Sequence, residues 1–480
     1  MVNNRSGPHP TKPMGLGGGG RWRVAHQSAT TLPFLLLAAG VVIAVTSRAL
    51  IVVGGFPSMV NFVHFPLVFA AYLLSRPRPV SATVRTTEHV ILVSGVLLVA
   101  SLVGSTESSF LRAALLWPIL IEPIVVVLTI WNLRAAGQES RTFRRLGFLL
   151  VLGQLPIAFA QAAATGLGDP VQGTLIGAGA GHHVLGAMGL MASLVALASI
   201  VSGEQRPLSL TGAAVVGGFI LAVLSDMKQG IAVFLVAAAY VVVVGLNKRF
   251  RANGLGRTSR MKKLVAGVLI GLAISMFLVF NLFGILAQEP WRFATPFEAK
   301  GAAVETISGE MSHNPLAFLT GLGPGTTATR IAWLSGPDAP VSSLQGFGLE
   351  PTPIAQELLT AWANTPRWEQ SSVSSPFSTW IGVFGDLGIL GMAALITLWW
   401  LPWKAAHRAT GGLGARAVIL FTVLLGLVFN WMEEPTLVII AAVFIGAQSA
   451  GFGVMPQGVP GAASTRTTQT QAADVGRGAW

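Results

Sequence analysis

The chain has 480 residues, of which 52% are hydrophobic and only 10% are charged, and its mean hydropathy is +0.66. A soluble protein of this length needs a charged surface that this composition does not supply, so the composition excludes a soluble globular protein. Cysteine is absent, which excludes disulfide bonds, thiolate metal sites and a cysteine nucleophile.

The net charge of +12 is distributed unevenly along the chain. Of the 31 Lys and Arg residues, 24 fall on segments that would face one side of a membrane. The other seven are Arg48, Arg112, Lys228, Arg292, Lys300, Arg330 and Arg367. This is the positive-inside asymmetry of membrane proteins, so the basic charge indicates orientation and not a nucleic-acid partner.

Residues 1–30 are rich in glycine and proline and predict a disordered cytoplasmic tail. Apolar stretches then recur at lengths that cross a hydrocarbon core of about 30 Å. They predict membrane spans at residues 31–53, 58–75, 89–104, 113–131, 146–163, 184–202, 208–224, 229–246, 264–286, 377–402, 416–432 and 435–452. The predicted fold is therefore an all-α polytopic bundle of about twelve transmembrane helices with one large helical extracytoplasmic loop.

The predicted parts are a bundle of about nine spans at 31–286, a loop at 287–376, three last spans at 377–452 and a second disordered tail at 453–480. An even number of spans places both termini on the same side, and the distribution of basic residues indicates that this side is the cytoplasm. Within the loop, apolar residues at helical spacing predict helices over 297–311 and 354–363. Three glycines, Gly382, Gly385 and Gly388, predict an irregular start for the tenth span.

Three outer segments carry candidate site residues. Lys228 lies in a tight turn with Asp226, where it binds a phosphate or forms a local ion pair that caps the hairpin. Gly323 and Gly325 precede Arg330 and offer backbone N–H groups and a guanidinium to a phosphate, although such runs are often only turns. Asp169 lies near the pair His182–His183.

Asp169 in this third segment is a candidate base for an acceptor hydroxyl, and a solvated turn is the alternative. His182 and His183 resemble half of a metal site, but no further clustered ligand accompanies them. Glu122 lies in the middle of a span, where the favoured interpretation is a protonated carboxyl bonded to backbone freed by Pro123, and a proton relay is the alternative. For Glu433 and Glu434 the favoured interpretation is a hydrophilic turn, and a pair that orients basic groups is the alternative.

The order of these segments resembles the O-antigen ligase/polymerase-like glycosyltransferases of bacterial envelopes (the Wzy and WaaL group). The resemblance rests on four segments with matching topology, from residue 150 to residue 450. They are Asp169…Val171-Gln172-Gly173-Thr174-Leu175, Ser225…Lys228…Gly230, Asn314-Pro315…Gly321-Leu322-Gly323-Pro324-Gly325-Thr326 and Phe384-Gly385-Asp386-Leu387-Gly388-Ile389-Leu390-Gly391.

The resemblance implies a bacterial inner-membrane enzyme that transfers a glycan from an undecaprenyl-pyrophosphate carrier to an acceptor glycan hydroxyl, on the outer side of the bilayer. It implies no metal and no other cofactor. The implied catalytic residues are Asp169, Lys228 and Arg330. The implied substrate-binding residues are Asp226, Arg292, Arg367, Gly323, Gly325 and His183.

The chain departs from the ligases of this group at one point. Phe377 and Ser378 stand where those ligases carry a His-Asn pair, which favours a polymerase or a divergent relative. Two other classes stay open. One is a lipid-linked sugar flippase or export permease, which fits twelve spans but usually shows internal repeats that this chain lacks. The other is a non-catalytic protein with the same fold.

Overall fold

The computed structural model describes residues 19–76, 81–136, 138–177, 181–203, 208–252, 295–335, 349–365, 375–409 and 411–449. Within these ranges the chain forms helices and turns and no β-strand. The predicted ninth span at 264–286 and the tail at 453–480 lie outside the described residues, as do Arg292 and Arg367.

Among the residues that the structure describes, nine helices come first in chain order. They are α1 (Gly19–Val52), α2 (His64–Ser75), α3 (Ala82–Gly104), α4 (Phe110–Ala135), α5 (Ser140–Leu152), α6 (Leu155–Thr165), α7 (Gly181–Val201), α8 (Leu208–Leu224) and α9 (Lys228–Ala252). The later helices are α10 (Thr295–Ser312), α11 (Pro315–Thr320), α12 (Arg330–Leu334), α13 (Pro353–Ala363), α14 (Thr379–Arg408), α15 (Leu413–Val428) and α16 (Pro435–Gln448). Short 3₁₀ turns cover Ser58–Phe62 and Trp431–Glu433.

Within the described residues, eight helical stretches are long and apolar enough to cross a membrane, and α8, α15 and α16 are shorter apolar helices. Each predicted span inside the described ranges coincides with one of these stretches. The chain is thus a multi-pass helical membrane protein, and the total of twelve spans stays a prediction.

The first helix is longer than the sequence predicts. It begins at Gly19, so residues 19–30 are helical where we expect a disordered tail. No proline lies between Pro13 and Pro33, so every residue between them has the backbone N–H group that a helix needs.

The centre and the perimeter of the bundle differ in exposure. Nearly all side chains of α16 and most of those of α4 and α7 are buried. At the perimeter, α3 exposes the apolar side chains of Leu92, Val93, Val96, Val99 and Val103. Since a bilayer solvates apolar side chains, such a perimeter suits a lipid environment.

The loop helices pack on one end of the bundle, which we call the loop end. Ala303, Ile307 and Met311 form the buried face of α10, and Leu358 is buried on α13. The two helices occupy the stretches for which apolar spacing predicts helices. The extracytoplasmic location of this end remains a prediction from the distribution of basic residues.

A glycine interrupts α14 close to the loop end. Gly388 has φ 65° and ψ −166°, outside helical geometry. A side chain there would clash with the backbone of Leu319, which lies in the short helix α11. The irregular start predicted for the tenth span is therefore present, and it lets the loop backbone approach α14 closely.

Candidate functional site

A buried carboxylate holds the glycine-rich loop segment in place. Asp386 of α14 is fully buried and accepts hydrogen bonds from the backbone N–H groups of Gly325 at 2.5 Å and Thr327 at 2.8 Å. The hydroxyls of Thr327 and Thr329 each donate to it at 2.8 Å. A buried carboxylate needs such donors to offset its loss of water, so Asp386 and this segment stabilise each other.

The glycines of this segment serve the fold. Gly323 and Gly325 have φ of 121° and 70°, which residues with a Cβ rarely adopt. A Cβ at Gly323 would also overlap the side chain of Ser105 at the end of α3. The backbone N–H groups that the sequence offers to a phosphate are instead bonded to Asp386, whose side chain accepts from Gly325 and whose carbonyl accepts from Gly323 at 3.2 Å.

The same segment ends at Arg330, which begins α12. Its backbone N–H donates to Oε2 of Glu433 at 2.6 Å, and its guanidinium forms an ion pair with Glu434. The guanidinium carbon also lies 5.9 Å from the ring centroid of Trp333, within the range of a cation–π contact. Arg330 is thus fixed by the turn between α15 and α16.

A second guanidinium reaches the same carboxylate from the first helix. Nη2 of Arg48, near the carboxyl end of α1, lies 2.9 Å from Oε1 of Glu434. Its Nη1 is buried and has no hydrogen-bond partner among the described residues. Two arginines therefore share one acid, and one of them keeps an unused donor group. Glu434 is buried between the two arginines, so it has the orienting role that the sequence offers as the alternative to the favoured hydrophilic turn.

Burial determines the net charge of the cluster formed by Arg48, Arg330, Glu433 and Glu434. It raises the pKa of Glu433 to about 8, against the lowering effect of the Arg330 N–H bond. Burial also lowers the pKa of Arg330, and the charge of Glu434 opposes that shift. An arginine stays protonated at neutral pH. Two guanidiniums and one carboxylate then leave about one positive charge, which suits an anionic ligand.

The two arginines and Glu434 line a cavity of about 150 Å³ at the loop end. Its polar lining consists of Arg48, Arg330, Glu434, Asn61, His64, Ser47 and Thr436. Its apolar and aromatic walls include Ile51, Val52, Phe62, Phe65, Ile119, Trp333, Phe429 and Trp431. A few converging polar groups in an apolar cavity are typical of a ligand site.

No family model matches the chain, and no curated protein or solved structure matches it. The glycosyltransferase resemblance is therefore a hypothesis that rests on the sequence segments, and the geometry of the site carries the functional argument.

A second polar cluster contains the predicted residues Asp169, Asp226, Lys228 and His183. Nζ of Lys228 lies 2.8 Å from Oδ2 of Asp226, which is the local ion pair that the sequence leaves as an alternative. Nε2 of His182 lies 3.2 Å from Oδ1 of Asp169, and the rings of His182 and His183 are 3.9 Å apart. The described residues contain no group of three or more His, Asp or Glu side chains placed to hold a metal ion.

One aromatic side chain connects the two clusters. The ring of His183 meets Trp431 edge-on, with centroids 5.8 Å apart, and Trp431 lines the cavity. Lys228 is not among the cavity's lining residues. The structure thus brings Arg330 together with Arg48 at the cavity, whereas Lys228 pairs with Asp226 in the second cluster.

Sequence reasoning did not select two cavity residues, Arg48 and His64, as site residues. A signal exists for Arg48, because it is one of the seven basic residues on the side opposite the majority. His64 carries no such signal, since a single histidine near the end of a span is common. Its partner Glu122 bonds this histidine and not the backbone near Pro123, because α2 brings His64 within reach.

Proposed function

We propose that the chain transfers a glycan from an undecaprenyl-pyrophosphate carrier to an acceptor glycan hydroxyl, as an envelope polysaccharide polymerase or ligase. The observation that carries this proposal is the pair of arginines, Arg48 and Arg330, that share Glu434 in the cavity. In this function the cavity holds the pyrophosphate.

The chemistry of the transfer needs fixed cations. When the bond between the anomeric carbon and the pyrophosphate breaks, negative charge develops on the leaving oxygen, and prearranged donors stabilise it. The planar guanidinium presents paired N–H groups that match phosphate oxygens. Arg48 has Nη1 unused within the described residues, and Glu434 keeps both arginines in place before the ligand arrives.

The size and wall of the cavity favour a lipid headgroup. At about 150 Å³ it is smaller than a typical site for a whole drug-sized ligand. It therefore accommodates the pyrophosphate and leaves the polyprenyl chain to the apolar perimeter of the bundle. The second cluster, with Asp169, Asp226, Lys228 and His183, lies beyond Trp431 and is our candidate for binding the acceptor glycan away from its reacting hydroxyl.

Transfer by membranes from cells that lack the gene and carry a variant copy tests this proposal. Arg48→Gln and Arg330→Gln should each lower the rate of glycan transfer by about 10²–10³, the usual effect of removing one donor to a developing oxyanion. Arg85→Gln is the matched control, because Arg85 is exposed at the opposite end of α3. Lys228→Gln should cost less than either cavity variant, and Lys228→Arg should retain part of the activity.

Protein level in the membrane must be equal for all variants in this comparison. Unchanged transfer in both cavity variants would contradict the proposal. If glycan still reaches the outside in both variants and polymer growth depends on neither arginine, the result favours the flippase or export permease.

A further inference from the structure

A buried histidine–glutamate pair lies beside the arginine cavity and takes no part in the pyrophosphate contacts described above. Nδ1 of His64 on α2 lies 2.7 Å from Oε1 of Glu122 on α4. The exposed fractions of the two side chains are 2% and 0%. Replacing a buried pair of this kind by apolar residues is often neutral for stability, so stability alone does not explain its presence.

The position of His64 gives the pair access to a ligand. His64 lines the cavity that also contains Arg48 and Arg330, whereas Glu122 does not. In the tautomer whose Nδ1–H donates to the Glu122 carboxylate, the free electron pair of the neutral ring lies on Nε2, for which the described residues provide no hydrogen bond. The ring of Phe65, at a centroid distance of 4.2 Å, packs against the imidazole.

We infer that His64 is the general base that deprotonates the acceptor hydroxyl, and that Glu122 is a positioning residue that holds the imidazole in the required tautomer. This inference rests on the proposed glycan transfer. A base bonded to a buried carboxylate beside a cationic pocket is the arrangement that activates hydroxyl nucleophiles in many enzymes. The charged groups that line the same cavity as His64 are Arg48, Arg330 and Glu434.

The step balances with the groups present. The acceptor oxygen attacks the anomeric carbon while its proton moves to Nε2 of His64. The bond from that carbon to the pyrophosphate oxygen breaks, and its electron pair stays on the pyrophosphate beside Arg48 and Arg330. Glu122 stabilises the imidazolium, which then gives its proton to water or to the departing pyrophosphate.

Two assays on the purified protein in liposomes test this assignment. The first is binding of farnesyl pyrophosphate, a short-chain probe of the arginine pocket. The second is the rate of glycan transfer, with lipid-linked glycan extracted from cells that lack the gene as the donor. The variants are His64→Gln, His64→Ala, Glu122→Gln, Glu122→Asp and Arg330→Gln. His89→Gln is the matched control, because His89 is an exposed histidine on the neighbouring helix α3.

His64→Gln should keep farnesyl pyrophosphate binding within about threefold of wild type and lose transfer by about 10²–10⁴, the usual contribution of a general base. Added imidazole should restore part of the transfer to His64→Ala. Glu122→Gln should lose at least about tenfold in transfer while farnesyl pyrophosphate binding stays within about threefold of wild type, and Glu122→Asp should recover part of the transfer, because a carboxylate again stabilises the imidazolium.

The outcomes separate this inference from the proposed function. Wild-type transfer by His64→Gln, while Arg330→Gln loses probe binding, would overturn the general base and leave the arginine pocket standing. Loss of probe binding together with transfer in His64→Gln would show a structural role and would also overturn it. A wild-type protein that neither binds the probe nor transfers glycan would overturn both proposals.

Discussion

Glu433 is the residue whose ionisation should be visible in the stability of the whole protein. Its pKa is raised to about 8 by burial, from an ordinary value of 4.5. The folded state therefore holds this proton over a range in which the unfolded state has lost it. The stabilising contribution is complete below about pH 4.5 and is lost as the pH rises toward 8.

We expect the free energy of unfolding to fall between pH 5 and pH 8, with Glu433 contributing at most about 1.4 kcal/mol per pH unit. Glu433→Gln should remove that part of the slope, because the amide does not ionise. Thermal unfolding in detergent at a series of pH values measures this, with the exposed Glu310→Gln as control. Parallel slopes for wild type and Glu433→Gln would show that Glu433 does not titrate in this window.

At the residue scale, the sequence identifies single charged residues better than their partners. Arg330 follows a glycine-rich run that points to a site, and the structure places it in the cavity. Its neighbour Arg48 pairs with Glu434 across 386 positions of sequence, a contact that only the packing of α1 on α16 creates. The pairing of His64 with Glu122 likewise depends on how α2 and α4 meet.

At the element scale, apolar length predicts where helices lie but not where they break. The predicted span at 146–163 consists of α5 and α6, separated at Gly153 and Gln154 just before Pro156. Pro156 lacks an N–H donor, so it fits the first turn of α6 and not the interior of one continuous helix. At the break, the side-chain oxygen of Gln154 accepts hydrogen bonds from the backbone N–H of Thr174 at 2.8 Å and from the Thr174 hydroxyl at 3.0 Å. The break thus serves the segment after α6, a use that hydropathy does not reveal.

The contact between α7 and α8 gives a test of packing at this scale. A Cβ at Gly218 would overlap the carbonyl oxygen of Gly189, whereas nothing lies within 4 Å of a Cβ at Gly212 on the same helix. Gly218→Ala should destabilise the protein by about 1–3 kcal/mol through overpacking. Gly212→Ala should be neutral or stabilising by up to about 1 kcal/mol, because alanine favours the helix. Equal melting temperatures for the two variants in detergent would contradict this close helix contact.

At the scale of the whole molecule, composition and span length predict a helical membrane bundle, and the structure shows one. The sequence also predicts which end faces outward, from the 24 and seven basic residues on the two sides. The loop helices, Arg48, the arginine cavity and the second cluster all lie toward the loop end. If the cavity binds the pyrophosphate of a lipid in the outer leaflet, the loop end must face away from the cytoplasm.

The most direct test of this account uses the absence of cysteine from the chain. Asn61→Cys places one thiol in the wall of the cavity, and Ser308→Cys places one on the exposed face of α10 as control. Spheroplasts are treated with a membrane-impermeant maleimide, with and without farnesyl pyrophosphate. Farnesol, which has no phosphates, serves as the ligand control.

We expect both thiols to be labelled from outside, and only the thiol at position 61 to be protected by farnesyl pyrophosphate. Adding Arg330→Gln to Asn61→Cys should abolish the protection, because the pyrophosphate loses a guanidinium that faces the cavity. No labelling of either thiol in spheroplasts would contradict the orientation. Labelling at position 61 that farnesyl pyrophosphate leaves unchanged, or that farnesol reduces equally, would contradict a pyrophosphate site in this cavity.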